Sequence, residues 1–127
     1  MGFLSVVIAA IASYAFGAVW YMALAKPWMA AAGLRESEIN RKDPKPYIIS
    51  FVSALIVAGM MRHIFFISGI DTVGTGLMGG FGLGIFIVSP WILTNYAFSM
   101  RPRALTLIDG GYATFGCTIM GLVLVLV

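Results

Sequence analysis

Apolar residues run along this chain in blocks about as long as a bilayer is thick, and charged residues interrupt them at only a few places. A helix that crosses a hydrocarbon core needs about 20 predominantly apolar residues. Residues 3–25 and 72–100 carry no charge, and residues 104–127 carry only Asp109. A further span, 47–70, is uncharged as far as Met61 and must run on through Arg62 and His63 into the apolar 64–70. This pattern predicts an all-α integral membrane protein, a single domain built as a bundle of four transmembrane helices. Residues 26–46 are the one sizeable polar segment. Its stretch RESEINRKDPKP reads as a surface loop, and its start, PWMAAAGL, as a short interfacial helix with Trp28 and Met29 dipping toward lipid. Pro90 should kink the third span, because it removes a backbone donor and crowds the preceding turn.

Composition agrees with a lipid solvent. With 61% apolar and 10% charged residues in 127 positions and a mean hydropathy of +0.98, polar surface is too scarce to cover a soluble globule. The net charge of +3 does not point to nucleic acid, since the basic residues sit at the edges of apolar runs and form no stripe with interleaved aromatics. They act as topology signals. Lys26, Arg35, Arg41, Lys42 and Lys45 fall in the first loop and Arg101 and Arg103 in the third, while only Arg62 lies near the second. The side richer in Lys and Arg stays cytoplasmic, so both termini are expected to be non-cytoplasmic. Residues 1–5 lack the basic n-region of a signal peptide, and with no organelle presequence expected, a bacterial inner membrane is the expected location, though composition alone leaves other membranes open. A lone thiol, Cys117, makes no intrachain disulfide, and with His63 alone it makes no structural zinc site, so neither metal nor cofactor is expected.

Small residues four apart let membrane helices approach closely. Ala9, Ser13 and Gly17 line up in the first span, Ser50, Ala54 and Ala58 in the second, and Gly76, Gly80 and Gly84 in the third. Glycine is frequent in membrane helices anyway, so these stripes predict packing and no particular partner. A chain this small buries only part of such faces internally, which leads us to expect a homo-oligomer, most simply a dimer, with Gly80 in the contact. Gly74, Gly76 and Gly79 also spell G-x-G-x-x-G, but the dinucleotide fingerprint needs a preceding strand and a tight turn, and here the glycines open a membrane span.

At about 1.5 Å per residue, Asp109 and Asn95 both lie roughly 8 Å inside the cytoplasmic ends of their spans. Trp20, Tyr21, Ser50 and Ser53 fall at a similar depth, and Tyr96 and Tyr112 flank it. Every helix thus contributes to one inner polar layer. Asp109 is expected to face the interior, bonded to Asn95 or a neighbouring tyrosine, with Arg101 and Arg103 reaching part of the way toward it. Arg62, about 22 Å from the cytoplasmic start of its helix, belongs with His63 and Asp71 to an outer charged cluster, in which either Asp71 is its partner or Arg62 and His63 snorkel to the outer headgroups. An internal echo is also visible. Tyr21, Lys26 and Pro27 are matched 75 positions later by Tyr96, Arg101 and Pro102, as in a duplicated helical hairpin.

The stretches FGAVWYMALAKPWM, TNYAFSMRPRALTLIDGGY and MGLVL make the chain resemble the small bacterial membrane proteins grouped as domain of unknown function 1761. The residues that carry the likeness are Gly17, Trp20, Tyr21, Trp28, Met29, Thr94, Asn95, Tyr96, Gly111 and Tyr112. The resemblance implies four spans and brings no activity, substrate or cofactor with it. It also implies Asn where this chain has Asp109 and His where it has Ala113, two departures at one spot.

Two function classes follow. The first is a non-catalytic accessory or scaffold component whose polar layer locks helices together, alone as an oligomer or with a larger membrane protein. The alternative is a small channel or transporter whose path that layer lines. No catalytic residue can be nominated, since no acid and base pair or activated nucleophile is visible.

Overall fold

The computed structural model describes residues 2–127. Four of its helices are long and apolar enough to cross a membrane: Gly2–Ala23, Lys45–Ser68, Val73–Phe98 and Arg103–Leu126. We label the elements α1 (Gly2–Ala23), α2 (Ala25–Ala32), α3 (Lys45–Ser68), α4 (Val73–Leu83), α5 (Ser89–Phe98) and α6 (Arg103–Leu126). A π-helical stretch, Gly84–Val88, joins α4 to α5, and a 3₁₀ turn occupies Glu36–Glu38 between α2 and α3. The ends of all four expected spans shift by one or two residues, and a short helix, α2, forms where one was expected. α2 and the turn between α5 and α6, joined by Arg101 donating to the Ala32 carbonyl at 3.4 Å, lie together at what we call the loop end of the molecule.

Local chemistry explains the boundaries. Thr72 caps α4 by accepting from the Thr75 N–H at 3.2 Å while its own N–H donates to the Thr75 hydroxyl at 3.3 Å, which satisfies two otherwise orphaned donors. Three helices end in the same left-handed cap, in which the N–H two positions past the last turn folds back on an earlier carbonyl. In α2 the bond is Leu34 to Met29 (3.0 Å), in α3 Ile70 to Phe65 (2.9 Å) and in α5 Arg101 to Tyr96 (2.8 Å). The left-handed residue is Gly33 in the first and Gly69 in the second, but Met100, with φ 58°, in the third. Just before Pro90, where a kink was expected, the helix adopts the π-helical stretch. Proline offers no N–H to the preceding turn, and widening that turn by a residue accommodates its ring.

α6 is the central element, packed against α1, α4, α5 and the π-helical stretch, while α3 leans chiefly on α1. The α4 contact is backbone on backbone. A Cβ on Gly84 would stand 2.6 Å from the Thr114 Cα, and one on Gly76 2.8 Å from the Gly121 carbonyl. Gly80 is buried against the Cys117 carbonyl. The third-span glycines are therefore occupied within one chain, which corrects the expectation that Gly80 meets a second copy: its face is closed by α6. Ala9 and Ser13 of α1 and Ala54 and Ala58 of α3 are buried likewise, and Met61 and Phe65 fill the end of the core away from the loops. Ser50 is exposed. From there toward the loop end, α3 and α5 are not packed on each other, and a cleft opens between them.

Candidate functional site: a carboxylate clamp and its cleft

α1 and α6 interlock by two reciprocal ring-on-glycine contacts. The Tyr112 ring of α6 lies over Gly17 of α1, and the Trp20 ring of α1 lies over Gly111 of α6. A Cβ on either glycine would fall 2.7 Å from the ring it faces. Tyr112 also stacks on Phe16, with ring centroids 6.1 Å apart. The Trp20 indole N–H donates to the Ile108 carbonyl at 2.9 Å, so its polar edge is satisfied although the ring is packed among helices.

This interlock sets the height and direction of Asp109. Its carboxylate accepts from the Tyr21 hydroxyl of α1 at 2.6 Å on one oxygen and from the Tyr96 hydroxyl of α5 at 2.5 Å on the other. Three helices are tied through one charged group. Charge-assisted O–H···O bonds of this length are the strong kind, and they replace part of the hydration the carboxylate gives up. Alongside, the Ser89 hydroxyl of α5 donates to the Gly110 carbonyl at 3.1 Å and lies 2.9 Å from the Thr114 hydroxyl. Sequence reasoning missed Ser89 and Thr114, whose one visible signal is a polar residue beside Pro90.

Of the expected polar layer, Trp20, Tyr21, Tyr96, Asp109 and Tyr112 converge, and Ser50 and Ser53 line the cleft beside them. Asn95 does not join. It is exposed, and only its backbone carbonyl is engaged, by the Ser99 hydroxyl at 2.9 Å. Successive helix residues point about 100° apart, so Tyr96 facing α6 turns Asn95 away. The arginines do not reach Asp109 either: Arg101 bonds the Ala32 carbonyl at 3.4 Å. The outer cluster does not assemble. Arg62 lies over Gly2 of α1, His63 and Asp71 are exposed, and among the described residues the ion pairs are Arg35 with Glu38 and Arg41 with Glu36, each at 3.9 Å.

The clamp forms one wall of a cleft of about 800 Å³. Its floor is α1 and α6, from Ser13 and Gly17 to Gly116 and Met120. Its sides are α3, through Tyr47, Ser50 and Ser53, and the third span, through Val88, Ile92 and Tyr96. Trp28 and Met29 of α2, with Asn40 and Arg41 of the loop, close its loop end. The lining is mostly apolar, and Tyr21, Tyr96 and Asp109 of the clamp are among its polar residues.

The sequence matches the family described as Protein of unknown function (DUF1761) over residues 4–125. The chain belongs to that family. No curated protein and no solved structure matches it. The matched segment contains every residue of the clamp and of the cleft lining, so both lie inside the family's own domain.

Proposed function

We propose that the chain is a non-catalytic component of a bacterial inner membrane, with the 26–46 loop cytoplasmic, both termini on the other side, and an accessory or scaffolding role exercised as a homo-oligomer or beside a larger membrane protein. The observation that carries this reading is the clamp: the Asp109 carboxylate, inside the span of α6, has each of its oxygens engaged by a tyrosine from a different helix. Such an arrangement serves to lock α1, α5 and α6 together. Seven of the eight basic residues lie on one side of the spans, which supports the orientation. Since the Gly76, Gly80 and Gly84 face is spent on α6, self-association requires another face.

A second reading, a small channel or transporter, is favoured by the cleft, whose polar wall is the same clamp. Reconstitution into proteoliposomes, paired with crosslinking in native membranes, separates the two. The accessory reading expects a crosslinked multimer or a stoichiometric larger partner, and no solute flux. A specific flux that vanishes in Tyr21→Phe/Tyr96→Phe while the protein stays folded would overturn it.

A further inference from the structure

We propose that the cleft between α3 and α5 is a binding site for a lipophilic organic cation, an ammonium or similar positive centre on an apolar body. The proposal concerns binding, so it goes beyond both functional readings and holds whether or not the ligand crosses the membrane.

Three observations carry it. The first is charge. Asp109 lines the cleft, and among the described residues no Lys, Arg or His ion-pairs with it. Its two hydrogen bonds come from neutral hydroxyls, which leave the negative charge uncancelled and each oxygen a further lone pair. The second is the company it keeps. The Tyr21 ring stands 5.4 Å from that of Tyr112 and 6.4 Å from that of Trp28, both edge-on, and all three line the cleft. Aromatic faces around a carboxylate are the recurring surroundings of bound organic ammonium groups. The third is the space. About 800 Å³ falls within the roughly 300–1,000 Å³ that buries a drug-sized ligand, and an apolar lining with few convergent polar groups is the usual composition of such sites. Because α3 and α5 are not packed on each other, an apolar body can enter sideways from lipid.

An anionic head is the competing occupant, since Arg41 also borders the cleft. That guanidinium is exposed and sits 3.9 Å from the Glu36 carboxylate, so its charge is already met at the mouth. The uncancelled charge deeper in is negative.

The test is equilibrium binding of tetraphenylphosphonium to the full chain in lipid nanodiscs, against tetraphenylborate, an anion of nearly the same shape. The expected result is saturable binding of the cation, at least about tenfold weaker binding of the anion, and an at least tenfold loss of cation affinity in Asp109→Asn. Ser53→Trp fills the cleft from α3, which contributes no residue to the clamp, and should abolish binding, which keeps the proposal testable if Asp109→Asn fails to fold. Equal affinity for cation and anion, or cation binding unchanged in Ser53→Trp, would overturn it. So would preferential binding of the anion that is lost in Arg41→Ala, which would assign the cleft to an anionic head.

Discussion

The hydroxyls of Tyr21 and Tyr96 share one carboxylate, that of Asp109, each taking a different oxygen, at 2.6 and 2.5 Å. These two tyrosines stand at matching points of the internal echo, each followed five positions later by a basic residue and then a proline. Each tyrosine stands two residues before the end of its helix, Ala23 in α1 and Phe98 in α5, so the two reach the same depth on helices that run the same way through the molecule. α6, antiparallel to both, delivers the carboxylate between them.

Removing either hydroxyl should weaken the assembly of helices modestly. Tyr21→Phe and Tyr96→Phe are each expected to cost about 0.5 to 1.5 kcal/mol, the range of intramembrane hydrogen bonds. Reversible unfolding in mixed micelles measures this, and a double-mutant cycle with Asp109→Asn should return a coupling energy for each tyrosine.

At Asp109 itself, the amide of Asn both accepts and donates, and a tyrosine hydroxyl does likewise. Asp109→Asn should therefore cost less than about 1 kcal/mol, whereas Asp109→Leu strands two hydroxyls and should cost roughly 2 to 3 kcal/mol. The same unfolding titration distinguishes them, and equal losses would show that the charge, not the hydrogen bonding, matters to stability.

The glycines of the third span should divide sharply. Gly80 is pressed against the α6 backbone and has no room for a side chain, while Gly82 has open space at its Cβ position. Gly80→Ala should destabilise by about 2 kcal/mol or more and Gly80→Leu should prevent folding, because the two backbones must move apart. Gly82→Ala should be neutral or gain up to about 1 kcal/mol. Because the Gly80 contact is intramolecular, its loss should appear in unfolding curves even at a protein dilution that abolishes any multimer.

Met100 holds a left-handed φ of 58° in the cap that ends α5, the conformation that Gly33 and Gly69 hold in the other two caps. A side chain there costs about 1 kcal/mol relative to glycine. Met100→Gly should raise stability by up to that amount, read as a higher unfolding midpoint. The residue is 90% exposed, so no packing is given up in exchange.

Orientation can be checked in a Cys117→Ser background, since Cys117 is buried. An impermeant maleimide added to intact cells should label Asp71→Cys and leave Lys42→Cys unlabelled until the membrane is opened. The reverse pattern would invert the topology inferred from the basic residues.

The helices were legible in the sequence because each obeys a local rule. An apolar run long enough to cross lipid must be helical, since hydrocarbon offers its backbone groups no other partner, and charges at 26–46 and 101–103 must lie outside it. Depth along each helix was legible too, which is why Trp20, Tyr21, Tyr96, Asp109 and Tyr112 were placed at one level. Direction around the helix axis was not, and it separates Tyr96, which reaches Asp109, from its neighbour Asn95, which does not. Azimuth is decided by which surfaces fit. Tyr112 over Gly17 and Trp20 over Gly111 set the rotation of α1 against α6, and Gly80 on the Cys117 carbonyl sets that of α4. The sequence announces that such glycines will admit a close neighbour, but any helix would satisfy that rule. Only the packed chain selects α6, and by committing α6 to α1 and α4 it leaves α3 and α5 apart and opens the cleft between them.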